Sequence, residues 1–307
     1  MEDIMEEQEF QGLLQKKTIE IENIVKRYLP KEEGHQKTVL EAMNYSLMAG
    51  GKRLRPMFMQ ETYRMFGGSG NIVEPFMAAL EMIHTYSLVH DDLPAMDNDE
   101  YRRGKKTTWK VYGDGMGILA GDGLLNYAFE TAVSAFEIAD ASLESYSRIA
   151  KALGVLAKKA GVYGMIGGQT ADIEAEKQEE PLTKEQLLFI HENKTAALIQ
   201  TAMMVGAILA GAKEQDVAAM EKCAYNVGIA FQIQDDILDV TGDSSELGKP
   251  TGSDAQNHKQ TYVTINGLEK SRQDVAGLSE EAVAILEGFS GNEFLKQLIL
   301  NLIHRRK

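Results

Sequence analysis

Residues 71–92 read "NIVEPFMAALEMIHTYSLVHDD". Val73, Met77, Leu80 and Ile83 recur at intervals of three and four, which lays an apolar stripe along a helix. Two adjacent aspartates, Asp91 and Asp92, close the segment, and Pro94 marks where its regular pattern stops. Glu81, His84, Leu88 and Asp91 share a second stripe on the same helix. An apolar helix that ends in paired carboxylates is therefore the first element to explain.

The rest of the chain repeats the helical theme. Three-four periodicity runs through roughly 5–28, 36–49, 54–66, 115–136, 142–174, 183–210, 215–240 and 292–305. Alternating β patterns are nearly absent. The loops "GGSGN" (67–71), "EKQEEPLT" (176–183) and the stretch 241–260 lack the length or composition of an interdomain linker. The expectation is one all-α domain spanning 1–307, built from about ten or more helices. Gly115-x-Gly117-x-x-Ala120 nearly matches a dinucleotide fingerprint, but helical sequence follows without a second strand or a suitably placed acid. Those glycines are expected to let helices pack closely.

Composition sets outer bounds. The chain has 307 residues, 44% of them apolar, and a net charge of −14, so no basic face is available for nucleic acid. Cys223 is the only cysteine, which excludes an internal disulfide and suits a reducing cytoplasmic setting. The start, "MEDIMEEQEF", is acidic where a secretion signal would be basic and then apolar. No run approaches the apolar length of a membrane-spanning helix.

Of sixteen aspartates, four lie within 91–99 and four within 235–243, so half occupy two short windows. The second window, "FQIQDDILDVTGD", ends another apolar helix, with Gly242 as its stop. Asp235 and Asp239 are four apart and share a face, with Asp236 beside them. Carboxylates at a helix C-terminus oppose the macrodipole, and two of them about 4 Å apart repel by roughly 4 kcal/mol at an effective dielectric near 20. Acidic helix ends that simply face water would not be gathered in this way. Mg²⁺, which takes oxygen ligands and is held by a few carboxylates together with substrate phosphates, supplies the missing compensation. An EF-hand is excluded by the spacing.

Basic residues flank these windows. "GGKRLRP" places Lys52, Arg53 and Arg55 at a helix start, where free N–H groups also favour anions. Arg102 and Arg103 directly follow the first acidic window, Lys194 lies in "HENKTAAL", and Lys249 and Lys259 follow the second. Together they suggest phosphate groups of two substrates.

In order, "GGKRLRP", "EMIHTYSLVHDDLPAMDNDEYRRG", "LAGDGLL", "GGQTADIEAE", "HENKTAALI" and "FQIQDDILDVTGD" resemble the motifs of the trans-prenyl diphosphate synthases. The first acidic motif, Asp91-Asp92-x-x-x-x-Asp97, resembles the bacterial farnesyl and geranylgeranyl branch. The resemblance implies an all-α fold around a central cavity, a homodimer, and three Mg²⁺ ions. It implies that Asp91, Asp92, Asp97, Asp235, Asp236 and Asp239 bind metal and the allylic diphosphate. Arg102, Lys194, Lys249 and Lys259 would bind that diphosphate as well. Gly51, Lys52, Arg55, His84 and Arg103 would hold isopentenyl diphosphate, and Thr195 and Gln232 would face the reacting carbons.

The implied reaction joins isopentenyl diphosphate to dimethylallyl or geranyl diphosphate and gives farnesyl diphosphate. Tyr86, five residues before Asp91, would form the floor that stops growth at fifteen carbons, while Ser87 leaves space. A geranylgeranyl synthase is the alternative, followed by a noncatalytic subunit of a heteromeric synthase. The chain departs from the family pattern at Lys106, Thr108, Trp109, Ala196 and Val263, which removes no expected ligand.

Overall fold

The computed structural model describes residues 7–178, 180–242 and 260–303. Its helices are α1 (Glu7–Arg27), α2 (Lys37–Leu47), α3 (Leu54–Met65), α4 (Glu74–Asp91), α5 (Thr108–Tyr112), α6 (Asp114–Val133), α7 (Ala135–Ile138) and α8 (Leu143–Ala160). They continue with α9 (Met165–Lys177), α10 (Lys184–Ile190), a π-helical turn (His191–Ala196), α11 (Ala197–Ala210) and α12 (Glu214–Thr241). After the segment outside the described residues come α13 (Tyr262–Asn266), α14 (Leu268–Glu287) and α15 (Glu293–Ile303). The β-structure among the described residues is one hairpin, β1 (Tyr101–Arg102) with β2 (Lys105–Lys106). Arg103 and Gly104 at its tip have φ of 53° and 75°, the signs a tight two-residue turn requires. Among the described residues no helix is long and apolar enough to cross a membrane.

The described residues form two compact units: 7–60 with 69–153, and 61–68 with 154–178, 180–242 and 260–303. In the first, α4 packs most extensively on α6. Its stripe of Met77, Leu80 and Ile83 is buried, and so are Phe76, Ala78, Ala79, Met82 and Tyr86 on the other sides. α4 is thus enclosed on every face, a central helix rather than a surface one. Gly121 of α6 permits the close approach: a Cβ there would stand 2.0 Å from Nε2 of His90. Of the two fingerprint glycines, Gly117 packs closely, a Cβ there lying 2.9 Å from Leu93 and 3.1 Å from Trp109, whereas Gly115 faces open space.

In the second unit α12 packs on α11 and α14. Two expected helices turn out differently. The span 142–174 is two helices, α8 and α9, interrupted at 161–164, and 183–210 is interrupted by the π-turn. The sequence reading missed α14, because its inward residues are Ser271, Val275, Ser279, Ala282 and Leu286, two of them hydroxylic. Helical spacing is present, but the apolar contrast that reveals it is not.

Candidate active site

Asp91 is the last residue of α4 and Asp92 its C-cap. The chain then folds back: Asp97 N–H donates to Asp91 O at 2.8 Å and Asn98 N–H to Leu93 O at 3.1 Å. Two side chains from beyond the hairpin grip this loop, since Thr107 Oγ1 (2.8 Å) and Trp109 Nε1 (2.9 Å) both donate to Asp99 O. Trp109 is one of the departures from the family pattern, and here it fixes the acidic loop. Asp92 is buried, and burial, with Asp99 and Asp91 nearby, pushes its carboxyl up to about 6 despite Arg102. Arg102 Nε stands 2.6 Å from Asp92 Oδ1, and its Nη2 stands 3.6 Å from Asp99. Arg102 thus lies against the acidic loop, while Asp97 is exposed.

The same unit carries the "GGKRLRP" segment. Lys52 is exposed and Arg55 half-buried, with Arg55 Nε buried and lacking a hydrogen-bond partner. Arg53 differs from its neighbours: it is buried, and Nη1 pairs with Glu81 Oε1 at 2.7 Å. Its cation is therefore committed inside the protein and not part of the expected anion cluster. Arg53 also adopts a left-handed φ of 51°, a conformation that costs a non-glycine residue roughly 1–2 kcal/mol. Arg103 Nη1 donates to Gly50 O, and the guanidinium lies over Gly51, where a Cβ would come within 2.6 Å of Nη1. Gly51, with φ of 142°, is required by both conformation and space. Loss of water, then the charges of Arg55, Arg103, Arg102 and Arg53, holds His84 well below the usual imidazole range, so it is neutral at pH 7.

The structure buries Tyr86 with its ring edge on His90, centroids 5.8 Å apart. Ser87 is half-buried and donates to His84 O.

In the other unit, Asp235 and Asp239 are half-buried on α12. Asp236 is buried, and its Oδ2 accepts the backbone N–H of Tyr262 at 2.6 Å. One oxygen of this carboxylate thus anchors α13, whose start is closed by a capping box at Thr261. The π-turn carries Lys194 and Thr195; such single turns insert one extra residue and redirect side chains. Lys194 Nζ stands 2.5 Å from Asp172 Oδ2 on α9, and Thr195 Oγ1 donates to Gln232 Oε1 at 2.9 Å. Gly168 on α9 admits the turn: a Cβ there would be 2.1 Å from Lys194 N.

Lys249 and Lys259 lie outside the described residues. Asp172, Gly168 and the pairing of Arg53 with Glu81 were missed by sequence reasoning, although Glu81 was placed on the stripe of His84 and Asp91. Asp172 sits inside the quoted "GGQTADIEAE", but no periodicity singles it out. Among the described residues no three His, Cys, Asp or Glu side chains stand close enough to form a metal site by themselves.

Residues 36–299 match the polyprenyl synthetase family. The chain belongs to that family and is a prenyltransferase of the trans-prenyl diphosphate synthase type. It is 44% identical to the farnesyl diphosphate synthase of Geobacillus stearothermophilus over 256 residues, which cover 83% of this chain and 84% of that one. It is 45% identical to the large subunit 1 of the chloroplastic heterodimeric geranylgeranyl pyrophosphate synthase of Arabidopsis thaliana, over 85% of this chain and 70% of that one. The apo crystal structure of an FPP/GFPP synthase from Zymomonas mobilis superposes with a TM-score of 0.84 at 30% identity, covering 96% of this chain and 98% of that one.

Proposed function

We propose that the chain is a farnesyl diphosphate synthase, a single functional domain over 1–307 that couples isopentenyl diphosphate to dimethylallyl and then geranyl diphosphate. The observation that carries the fifteen-carbon reading is Tyr86, a bulky ring buried within two turns of Asp91 on the same helix. Geranylgeranyl diphosphate is the second reading, favoured by relatives at similar identity that carry that name.

Asp91, Asp92 and Asp97, and likewise Asp235, Asp236 and Asp239, are assigned as carboxylate donors for Mg²⁺, three ions in all. Their chemistry fits, because Mg²⁺ takes a few carboxylates and completes its shell with water and substrate phosphate, so a preformed protein cage is not required. When bound, Mg²⁺ neutralises charge on the departing diphosphate.

The protein's own groups do the rest. Arg102, Lys194, Lys249 and Lys259 bind the allylic diphosphate, and Gly51, Lys52, Arg55, Arg103 and neutral His84 bind isopentenyl diphosphate. The allylic C–O bond breaks with its electron pair leaving on diphosphate. The double bond of isopentenyl diphosphate attacks the allylic carbon, and a proton lost to the released diphosphate restores a double bond. Thr195 and Gln232 present oxygen dipoles to the positive charge on carbon.

The chain acts in the cytoplasm as a homodimer. Ile118 and Leu119 of α6 are 47% and 49% exposed, an apolar outer side of the kind subunit contacts cover. The test incubates the purified chain with labelled isopentenyl diphosphate, dimethylallyl diphosphate and Mg²⁺, with and without EDTA, and reads product length after dephosphorylation. A Mg²⁺-dependent fifteen-carbon alcohol is expected. A twenty-carbon alcohol selects the second reading, and no product from folded chain rejects both. Molar mass in solution tests the dimer.

A further inference from the structure

Arg53 lies between Lys52 and Arg55 in sequence, yet it is buried where Lys52 is exposed and Arg55 half-buried. Its side chain is wholly buried, with Nη1 on Glu81 Oε1 at 2.7 Å, and Nη2 donates to Leu47 O at 2.8 Å. Nε stands 3.8 Å from Glu22 Oε1. One side chain thus ties the start of α3 to α4 through Glu81 and to the last residue of α2 through Leu47, while Nε, buried near Glu22 of α1, makes no hydrogen bond. Its carbonyl also accepts the first helical hydrogen bond of α3, from Met57 N–H at 3.2 Å.

The residues around this anchor are those that face the second diphosphate in the reading above. Glu81 precedes His84 by three on α4 and so shares its side. Gly50 and Gly51, on which the Arg103 guanidinium rests, are joined to Arg53 through Lys52 alone. Charge points the same way. Glu81 pairs directly with Arg53 and also favours the charged forms of Arg55 and Arg103, which offsets the repulsion that Arg53 exerts on Arg103. A buried ion pair is weak evidence for stability, and apolar replacements often serve a fold equally well. An arginine held at left-handed φ in that position calls for another role.

We propose that Arg53, locked on Glu81, is a positioning residue of the isopentenyl diphosphate subsite. It does not touch the substrate, and it sets where Lys52, Arg55, His84 and Arg103 stand. The inference rests on the assignment of that subsite under the proposed function.

The test uses the full chain as wild type, Arg53→Met and Arg53→Met/Glu81→Met, with a melting curve for each. Isopentenyl diphosphate is varied at saturating geranyl diphosphate, and then the reverse. Arg53→Met alone leaves Glu81 buried without its paired guanidinium and is expected to melt lower. The double variant removes both charges and is expected to melt near wild type. In the double variant the KM for isopentenyl diphosphate is expected to rise about tenfold or more, with the KM for geranyl diphosphate within about twofold. Wild-type KM values in the double variant, an equal rise in both, or failure of both variants to fold would each confine the pair to fold stability and overturn the proposal. A folded wild-type chain that makes no product rejects the functional reading itself, and the proposal with it.

Discussion

The Thr195 hydroxyl donates to Gln232 Oε1 across 2.9 Å and joins the π-turn to α12. Because that hydrogen is committed, the oxygen of Thr195 keeps its lone pairs for whatever positive charge approaches. In an allylic ionisation the charge develops on carbon, where a fixed oxygen dipole acts most strongly in the transition state. Thr195→Val keeps the shape and removes the dipole. It is expected to lower kcat by about 10²-fold while leaving the KM for both substrates near wild type. Thr195→Ser should recover most of the loss, and steady-state kinetics on the three proteins decides the matter.

Gly168 sets a harder constraint on the same turn. A Cβ at that position would lie 2.1 Å from Lys194 N and 2.6 Å from Asn193 C, both backbone atoms. Neither can swing aside as a flexible side chain would, so α9 and the π-turn must separate. Gly168→Ala is expected to cost about 10²-fold in kcat/KM through misplacement of Lys194 and Thr195, although both residues remain. The check pairs kinetics with far-ultraviolet circular dichroism, and near-normal turnover in the alanine variant would show that the turn tolerates the shift.

Legibility in the sequence followed physical contrast. Helices with an apolar side against a polar one, such as α1, α2 and α15, were readable from spacing, and Asp91, Asp92, Asp235 and Asp239 stood out because they crowd charge at helix ends. The motifs also brought Arg102 and Lys194 into view. The partners of Arg53 and Lys194 did not stand out: Glu81 and Asp172 are single acids inside helices, and only the fold brings them to those cations. The inward turn of Arg53 depends on a left-handed backbone angle that a run of three basic residues in four does not announce. α14 escaped because hydroxyls and small residues line its buried side.

Tyr86 carries the product-length reading. Its ring is buried against His90, and burial, with Asp91 nearby, raises its hydroxyl to about 12, so it stays neutral through the working range. Tyr86→Ala opens space on α4 and is expected to shift product from fifteen to twenty carbons. Truncating a buried aromatic also costs about 3–5 kcal/mol of stability, so the melting temperature should fall in the same variant. Product analysis by chromatography after dephosphorylation is the check, and an unchanged fifteen-carbon product would exclude Tyr86 as the floor.

His84 gives the fold a pH signature with a definite sign. Burial, and then the charges of Arg55, Arg103, Arg102 and Arg53, depress its folded-state pKa well below 6.5, whereas the unfolded chain titrates near the ordinary value of about 6.5. As pH falls through that value, unfolded His84 takes up a proton that folded His84 refuses. Its contribution to stability is therefore complete above about 6.5 and declines on acidification until the depressed folded-state pKa is passed. His84→Gln keeps a neutral polar side chain and removes the titration. Between pH 7.5 and 5 the wild-type chain should lose more melting temperature than the variant, and the difference should vanish above pH 7.5. Parallel melting curves across that range would mean that the imidazole is protonated as readily in the fold as outside it. The ring would then keep its water, and the positive charges around it would be screened.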